Sequence, residues 1–325
     1  MPSMKFKSVI VSALALMFFP IVLLGQDADQ AAVKGGASNK ADCYDWSTLL
    51  NPAIPLEEKR SHLSAFKADA LAGNTNARYV LGAFYRLGEQ HPARLVTKDL
   101  EQARAFMSNA AVDGDILAMA AMAELELEAR NYRAAMLWAQ VYAYFSKQQA
   151  KSVKLKINFA YQASLLKRIM DVAQKQKVPL FDQDFIADFS DFFKAHGHKI
   201  EASTSGKNAE GKRSSVCKYY SDPDIALEEA GLELVKKKKV TVGGEVMAKL
   251  PNPGYAFYLL TINPNGDVDD VAIVDSLPDA IYAEALLETA KGMKFNKSDR
   301  NSMRQTFLPM TFDDNSVGLK KRRLD

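Results

Sequence analysis

The sequence predicts a two-domain fold, in which an all-α helical-repeat domain (an α-solenoid) is followed by a small α+β domain. Residues 56–195 are rich in Ala, Leu, Lys, Glu and Gln, with apolar positions three and four apart, the period of amphipathic helices. Beyond residue 255 the apolar residues form short runs separated by turn residues, which is typical of strands. A chain of 325 residues, 48% of them hydrophobic, has enough apolar material for two globular domains.

The first residues indicate export. Lys5 and Lys7 precede an apolar run over residues 9–24, and Gly25 is followed by a polar stretch. This order of charged, apolar and small residues is typical of a secretory signal peptide, so residues 1–25 are predicted to be removed and the mature protein to be periplasmic. The alternative is an uncleaved helix that anchors the protein in the inner membrane, although a proline interrupts the run and it is short for a membrane span.

The remaining boundaries follow from composition. Residues 26–55 are predicted to be a flexible N-terminal segment and residues 196–215, with few apolar side chains, a linker. The α+β domain is placed at residues 216–315, and residues 316–325 form a basic tail with a possible role in membrane contact. The net charge of the whole chain is only +3, so nucleic acid is not an expected partner.

Two cysteines, Cys43 and Cys217, lie in polar segments of the chain. In an exported protein such a pair can form a disulfide, and this is the favoured interpretation over two unrelated thiols. Neither cysteine has a second cysteine or a histidine at the spacing of zinc ligands. His196 and His198 are expected to be solvated, so no metal or cofactor is predicted.

Small and large residues recur at helical spacing in the first half of the helical region. A small residue lets a neighbouring helix approach closely, and a large one fills the adjacent hole. The motif comprises Ala77, Leu81, Gly82, Tyr85, Gly88, Lys98, Asp99, Ala103, Phe106 and Ala110, and it partly recurs at Ala135, Trp138 and Tyr142. Over residues 65–145 the chain resembles the Sel-one-like branch of the tetratricopeptide repeats, which implies stacked helical hairpins.

The C-terminal region is predicted to be strand, strand, helix, strand. Residues 255–262 are continuously apolar, as in an interior strand, and residues 263–266 have turn chemistry with Gly266 free to take a positive φ. A second strand follows, then a helix, then a strand over residues 303–312. Pro309 confines this last strand to a sheet edge, because proline has no N–H to donate to a second neighbour.

This order of elements resembles the C-terminal domain of the TonB energy transducers over about residues 250–313. The matching residues are Asn265, Gly266, Val271, Val274, Ser276, Ala283, Ala285, Leu286, Lys294, Phe295 and Pro309 to Phe312. The resemblance implies that a partner adds an extended segment beside the final strand. The candidate partner-binding residues are therefore Gln305, Phe307, Pro309 and Thr311, with Phe307 expected to point away from the core.

No recognisable catalytic motif occurs in the sequence, which favours a non-enzymatic interaction module whose partners are cell-envelope proteins, among them a segment of an outer-membrane receptor. Two alternatives remain open. One is a membrane-anchored energy transducer for outer-membrane transport, which requires the uncleaved N-terminal helix. The other is a cell-envelope enzyme with a site of unrecognised type.

Overall fold

The computed structural model describes residues 46–153, 159–204, 227–228, 230–236, 253–298 and 302–312. This part of the chain is rich in helix and contains a small antiparallel sheet region. Both features agree with the predicted helical domain followed by a small α+β domain. The helices are α1 (Trp46–Leu50), α2 (Leu56–Leu71), α3 (Thr75–Leu87), α4 (Leu100–Val112), α5 (Ile116–Glu128), α6 (Tyr132–Val153), α7 (Phe159–Lys175), α8 (Gln183–Thr204) and α9 (Ile281–Lys291).

The strands of the described residues form two small sheets. They are β1 (Leu234–Lys236), β2 (Gly254–Ile262), β3 (Val268–Leu277), β4 (Lys294–Phe295) and β5 (Arg304–Phe312). Strand β1 pairs with β4, and the larger sheet has the order β3-β2-β5 with antiparallel neighbours. The predicted hairpin and final strand therefore correspond to β2, β3 and β5.

Polar caps set the ends of the central helices. The side chain of Asn74 accepts the N–H of Ala77 at the start of α3, and Asp99 and Asp115 cap α4 and α5 in the same way. Such caps satisfy backbone donors that have no partner within the helix. Gly88, with a φ of 55°, ends α3 where a β-carbon would collide with the backbone of Lys98. The connections from α2 to α3, from α4 to α5 and from α5 to α6 are each only three residues long.

From α1 to α7, each helix contacts the next one in the sequence, and some helices also contact the next but one. α3 contacts α5 and α5 contacts α7, while α8 crosses back over α4 and α6. Residues 196–204, predicted to begin a linker, are instead the last turns of α8. They remain helical because Ile200 is fully buried and Lys199 pairs with Asp113 of α4 at 2.5 Å.

The segment predicted to be flexible at residues 26–55 contains α1 in its described portion. Leu49 and Leu50 of this helix are buried in the main hydrophobic core, and α1 contacts both α2 and β3. Burial of two leucines stabilises this short helix, which has too few turns to be stable alone. Residues 26–45 lie outside the described part of the chain.

Both faces of the larger sheet are covered. Alternate β2 residues, including Tyr258 and Leu260, pack with α9 and with Leu308 of β5 in one apolar cluster. The intervening residues Tyr255 and Phe257 belong to the main core together with the helical part. Coverage of both faces explains why β2 is continuously apolar instead of alternating with polar residues.

A tight turn joins β2 to β3. Gly266 has a φ of 87°, and a β-carbon at this position would lie only 2.0 Å from the carbonyl oxygen of Phe295. The N–H of Phe295 in turn donates to the carbonyl of Gly266 at 2.8 Å, which ties the turn to β4. The positive φ expected from the sequence is confirmed, and the close approach of β4 gives a second reason for glycine.

A glycine in α3 is expected to be required for helix packing. A β-carbon on Gly82 would lie 2.5 Å from Cγ of Met107 in α4, whereas one on Gly197 in α8 meets nothing closer than 3.4 Å. Gly82→Ala should therefore lower the free energy of unfolding by about 1–2 kcal/mol through overpacking. Gly197→Ala should raise it by about 0.5–1 kcal/mol, because alanine favours helix. Urea unfolding of both variants tests this pair, and equal effects would contradict it.

Candidate functional site

Strand β5 is the last strand of the larger sheet in the order that the described residues form. It pairs with β2 without a register shift, and Pro309 lies opposite Phe257. Proline cannot donate to a neighbouring strand, so the Phe257–Pro309 pair is not one that exchanges two hydrogen bonds. Residues two apart on an antiparallel strand point their backbone groups the same way. The backbone N–H and C=O of Thr311 are therefore directed away from β2.

Three of the four predicted partner-binding residues are accessible on β5. Gln305 and Thr311 are exposed and Pro309 is half-buried. The side-chain amide of Gln305 also donates to the hydroxyl of Thr261 on β2 at 3.2 Å. The structure thus brings Pro309 and Thr311 together at the C-terminal half of the edge.

Phe307 does not point away from the core, contrary to the prediction. Only 5% of it is exposed, and its ring stacks on Phe257 with the centroids 5.6 Å apart. The face of β5 opposite α9 is covered by the helical part, and Phe307 belongs to that core. Its role is therefore packing between the sheet and the helices.

The centre of this junction is a buried ion pair. Nη2 of Arg86 in α3 donates to Oδ1 of Asp275 in β3 at 2.6 Å and to the carbonyl of Ser276 at 2.7 Å. The side chains are 4% and 0% exposed, respectively. Burial alone would lower the pKa of Arg86, but the charge and hydrogen bond of Asp275 outweigh it and raise the pKa. The arginine is thus held as a cation inside the protein.

Asp275 has further hydrogen bonds. The hydroxyl of Tyr79 in α3 donates to its Oδ2 at 2.6 Å, and the N–H of Ser276 donates to its Oδ1 at 2.8 Å. The hydroxyl of Tyr255 in β2 lies 3.3 Å from that of Tyr79. Burial raises the pKa of Tyr255 well above its ordinary value, and the nearby charge of Asp275 adds to this. Tyr255 therefore stays protonated, and both tyrosines act as hydrogen-bonding groups.

His91 contributes a neutral imidazole to the same junction. Burial lowers its pKa to about 4, so the ring is uncharged near neutral pH. The N–H of Ala93 donates to Nδ1 at 3.1 Å, which places the ring proton on Nε2, and Nε2 then donates to the carbonyl of Val274 at 3.3 Å. This histidine links the loop after α3 to β3.

A second ion pair joins two helices beside the first. Glu124 of α5 binds both terminal nitrogens of Arg168 in α7, and Nη1 donates at 2.9 Å. The hydroxyl of Tyr161 in α7 also donates to Glu124, at 2.8 Å. The ring of Tyr161 lies 5.6 Å from that of Tyr255, centroid to centroid, so α7 contacts the sheet as α3 does.

Sequence reasoning missed the Arg86–Asp275 pair, although one signal was present. Asp275 interrupts a run of apolar residues in β3, and a carboxylate within a buried strand needs a cation or several donors. The partner lies 189 residues away in the sequence, in α3. Spacing alone therefore does not identify Arg86.

Several predicted features fall outside the described residues. These are the signal peptide, Cys43 and Cys217, residues 205–215 of the linker and the basic tail. Within the described residues, no helix has both the length and the apolar character needed to cross a membrane. The same residues contain no group of three or more His, Cys, Asp or Glu side chains placed to hold a metal ion. His198 is almost fully exposed on α8.

Comparison of the chain with models of known protein families, with curated proteins and with solved structures finds no match in any of the three.

Glutamate substitutions should separate packing residues from surface residues on β5. Phe307→Glu should destabilise the protein by about 3–5 kcal/mol, because it removes a buried aromatic ring and buries a charge. Thr311→Glu, on an exposed side chain of the same strand, should change stability by less than about 0.5 kcal/mol. Chemical denaturation of both variants measures this. Similar unfolding midpoints for the two would contradict the burial of Phe307.

Removal of one member of the buried ion pair should cost more than removal of both charges. Arg86→Met leaves the Asp275 carboxylate buried without a cation, and we expect a loss of about 3–5 kcal/mol. Adding Asp275→Asn removes that unpaired charge while keeping an acceptor for Tyr79, so the double variant should regain stability. The free energies from urea titrations give the coupling, and additive losses would rule out a direct pair.

Proposed function

We propose that this protein is a non-enzymatic interaction module of the bacterial cell envelope, exported to the periplasm by its N-terminal signal sequence. In this proposal the helical part is an α-solenoid of Sel-one-like repeats, and the α+β part has the fold of the TonB C-terminal domain. Support comes from the motif resemblances and from the agreement of β2, β3, α9 and β5 with the predicted order of elements. The protein brings envelope proteins together and does not transform a substrate.

The recognition element is the Pro309–Thr311 portion of β5. The single observation that carries this is the pairing of Pro309 with Phe257, which orients the backbone N–H and C=O of Thr311 away from β2. An extended partner segment can use such groups to add a strand to the sheet. The exposed side chain of Thr311 and the half-buried Pro309 would then contact the partner and select its sequence.

The helical part supplies a second surface. α3 and α7 contact the sheet through Tyr79 and Tyr161, so this side of the helices is occupied by the protein itself. α8 covers parts of α4 and α6. A partner of the helical part therefore binds the remaining outer surfaces, and the same compact unit presents both recognition elements.

Site-specific photocrosslinking in intact cells tests the proposed strand addition. A benzoylphenylalanine at Thr311 should give a crosslinked adduct with an envelope protein, because an added strand would lie within reach of this side chain. The matched control is the same probe at Asp270, an exposed residue on β3 at the other side of the sheet. We expect an adduct at residue 311 and none at residue 270.

Thr311→Pro provides a second test of strand addition. It removes the outward backbone donor of residue 311 without altering the hydrogen bonds between β5 and β2. Binding by this variant is followed with the crosslinking probe at a neighbouring exposed position. The yield of the adduct with the partner should fall strongly. Absence of an adduct at residue 311, equal adducts at residues 311 and 270, or unchanged capture by Thr311→Pro would each overturn recognition at this strand.

A further inference from the structure

A cleft of about 380 Å³ lies where the helical part meets the connection between β3 and α9. This volume is within the range of small-molecule sites, which is roughly 300–1,000 Å³. Both parts of the protein contribute walls, so the cleft exists only while the two are packed together. It is lined by Arg86, Leu87, Gln90, Lys98, Glu124, Leu127, Glu128, Arg168, Pro278 and Asp279.

Two arginines that line the cleft each have one buried side-chain nitrogen without a hydrogen-bond acceptor. Nε of Arg86 and Nε of Arg168 are buried and have no hydrogen-bond partner among the described residues. Buried donors are nearly always paired, so each such atom calls for an explanation. Asp275, which neutralises Arg86, does not line the cleft, whereas Glu124, which neutralises Arg168, does. The inner wall is suited to an acceptor such as a carboxylate.

The mouth of the cleft presents a carboxylate without a cation. Lys98 and Glu128 pair with each other at 2.5 Å, which neutralises both charges. The exposed Asp279 has no ion-pair partner in the part of the chain that the structure describes, and its Oδ1 accepts the N–H of Ile281 at 3.0 Å. A carboxylate held in place in this way is suited to bind an ammonium group.

We propose that this cleft binds a small zwitterion, an amino acid or a dipeptide with both ends free. The ligand carboxylate accepts hydrogen bonds from the arginine side of the cleft, and the ligand ammonium pairs with Asp279. Leu87, Leu127 and Pro278 provide apolar contacts for the ligand side chains. A zwitterion satisfies the donors inside and the acid outside at once, whereas a simple anion or cation satisfies only one of them.

Calorimetric titration of the full-length protein with alanyl-alanine tests the proposal directly. The free dipeptide should bind with a saturable isotherm. N-acetyl-alanyl-alanine and alanyl-alanine amide should each bind at least about tenfold more weakly, because each lacks one charged end. Absence of saturable binding, or equal affinity for the free and capped peptides, would overturn the proposal.

A variant at the mouth of the cleft identifies the site. Asp279→Asn keeps an oxygen for the N–H of Ile281 but removes the charge, so it should abolish the preference for a free amino end while leaving the preference for a free carboxylate. Glu284→Gln is the matched control, since Glu284 is an exposed acid of α9 that does not line the cleft. If Glu284→Gln has the same effect, or Asp279→Asn has none, the dipeptide binds elsewhere and the assignment fails.

Discussion

The ion pair between Arg86 of α3 and Asp275 of β3 constrains how the sheet packs against the helices. Neither charge is stable inside the protein alone, because desolvation of an unpaired ion costs several kcal/mol. Each therefore requires the other, and the hydrogen bond from Tyr79 and the carbonyl of Ser276 restrict their geometry further. Apolar contact is non-directional, whereas hydrogen bonds between charged groups require a particular geometry. The charged pair selects one position, and the remaining contacts of the junction pack around it.

This docking removes the solvated face that a small antiparallel sheet usually has. α9 covers one face and the helical part covers the other, so most side chains of β2 and β5 are committed to packing. β3 contacts α1 and α3 in addition to β2. In the proposed strand addition, recognition therefore relies on backbone groups and on the few exposed side chains of β5. That is why the strand-addition proposal rests on Pro309 and Thr311 and excludes Phe307.

Local sequence signals predicted the elements of the α+β part well. The continuous apolar run of β2, the glycine of its turn and the proline of β5 each reflect a constraint visible within a few residues. The orientation of Phe307 was predicted wrongly, because the prediction left this face of β5 to solvent and to a partner, whereas the helical part covers it. The layer that covers Phe307 comes from distant helices, and the sequence near β5 contains no sign of it. The same long-range packing makes residues 196–204 helical.

A continuous series of contacts leads from β5 to the cleft. Phe307 stacks on Phe257, the ring of Phe257 lies 6.2 Å from that of Tyr79, and Tyr79 donates to Asp275, which holds Arg86 at the cleft wall. Contiguity alone is not allosteric coupling, which also requires an element with two stable arrangements. Each of these links is buried where the sheet packs on the helices. The strand edge and the cleft therefore depend on the same docked state, and a ligand that binds only that state stabilises both.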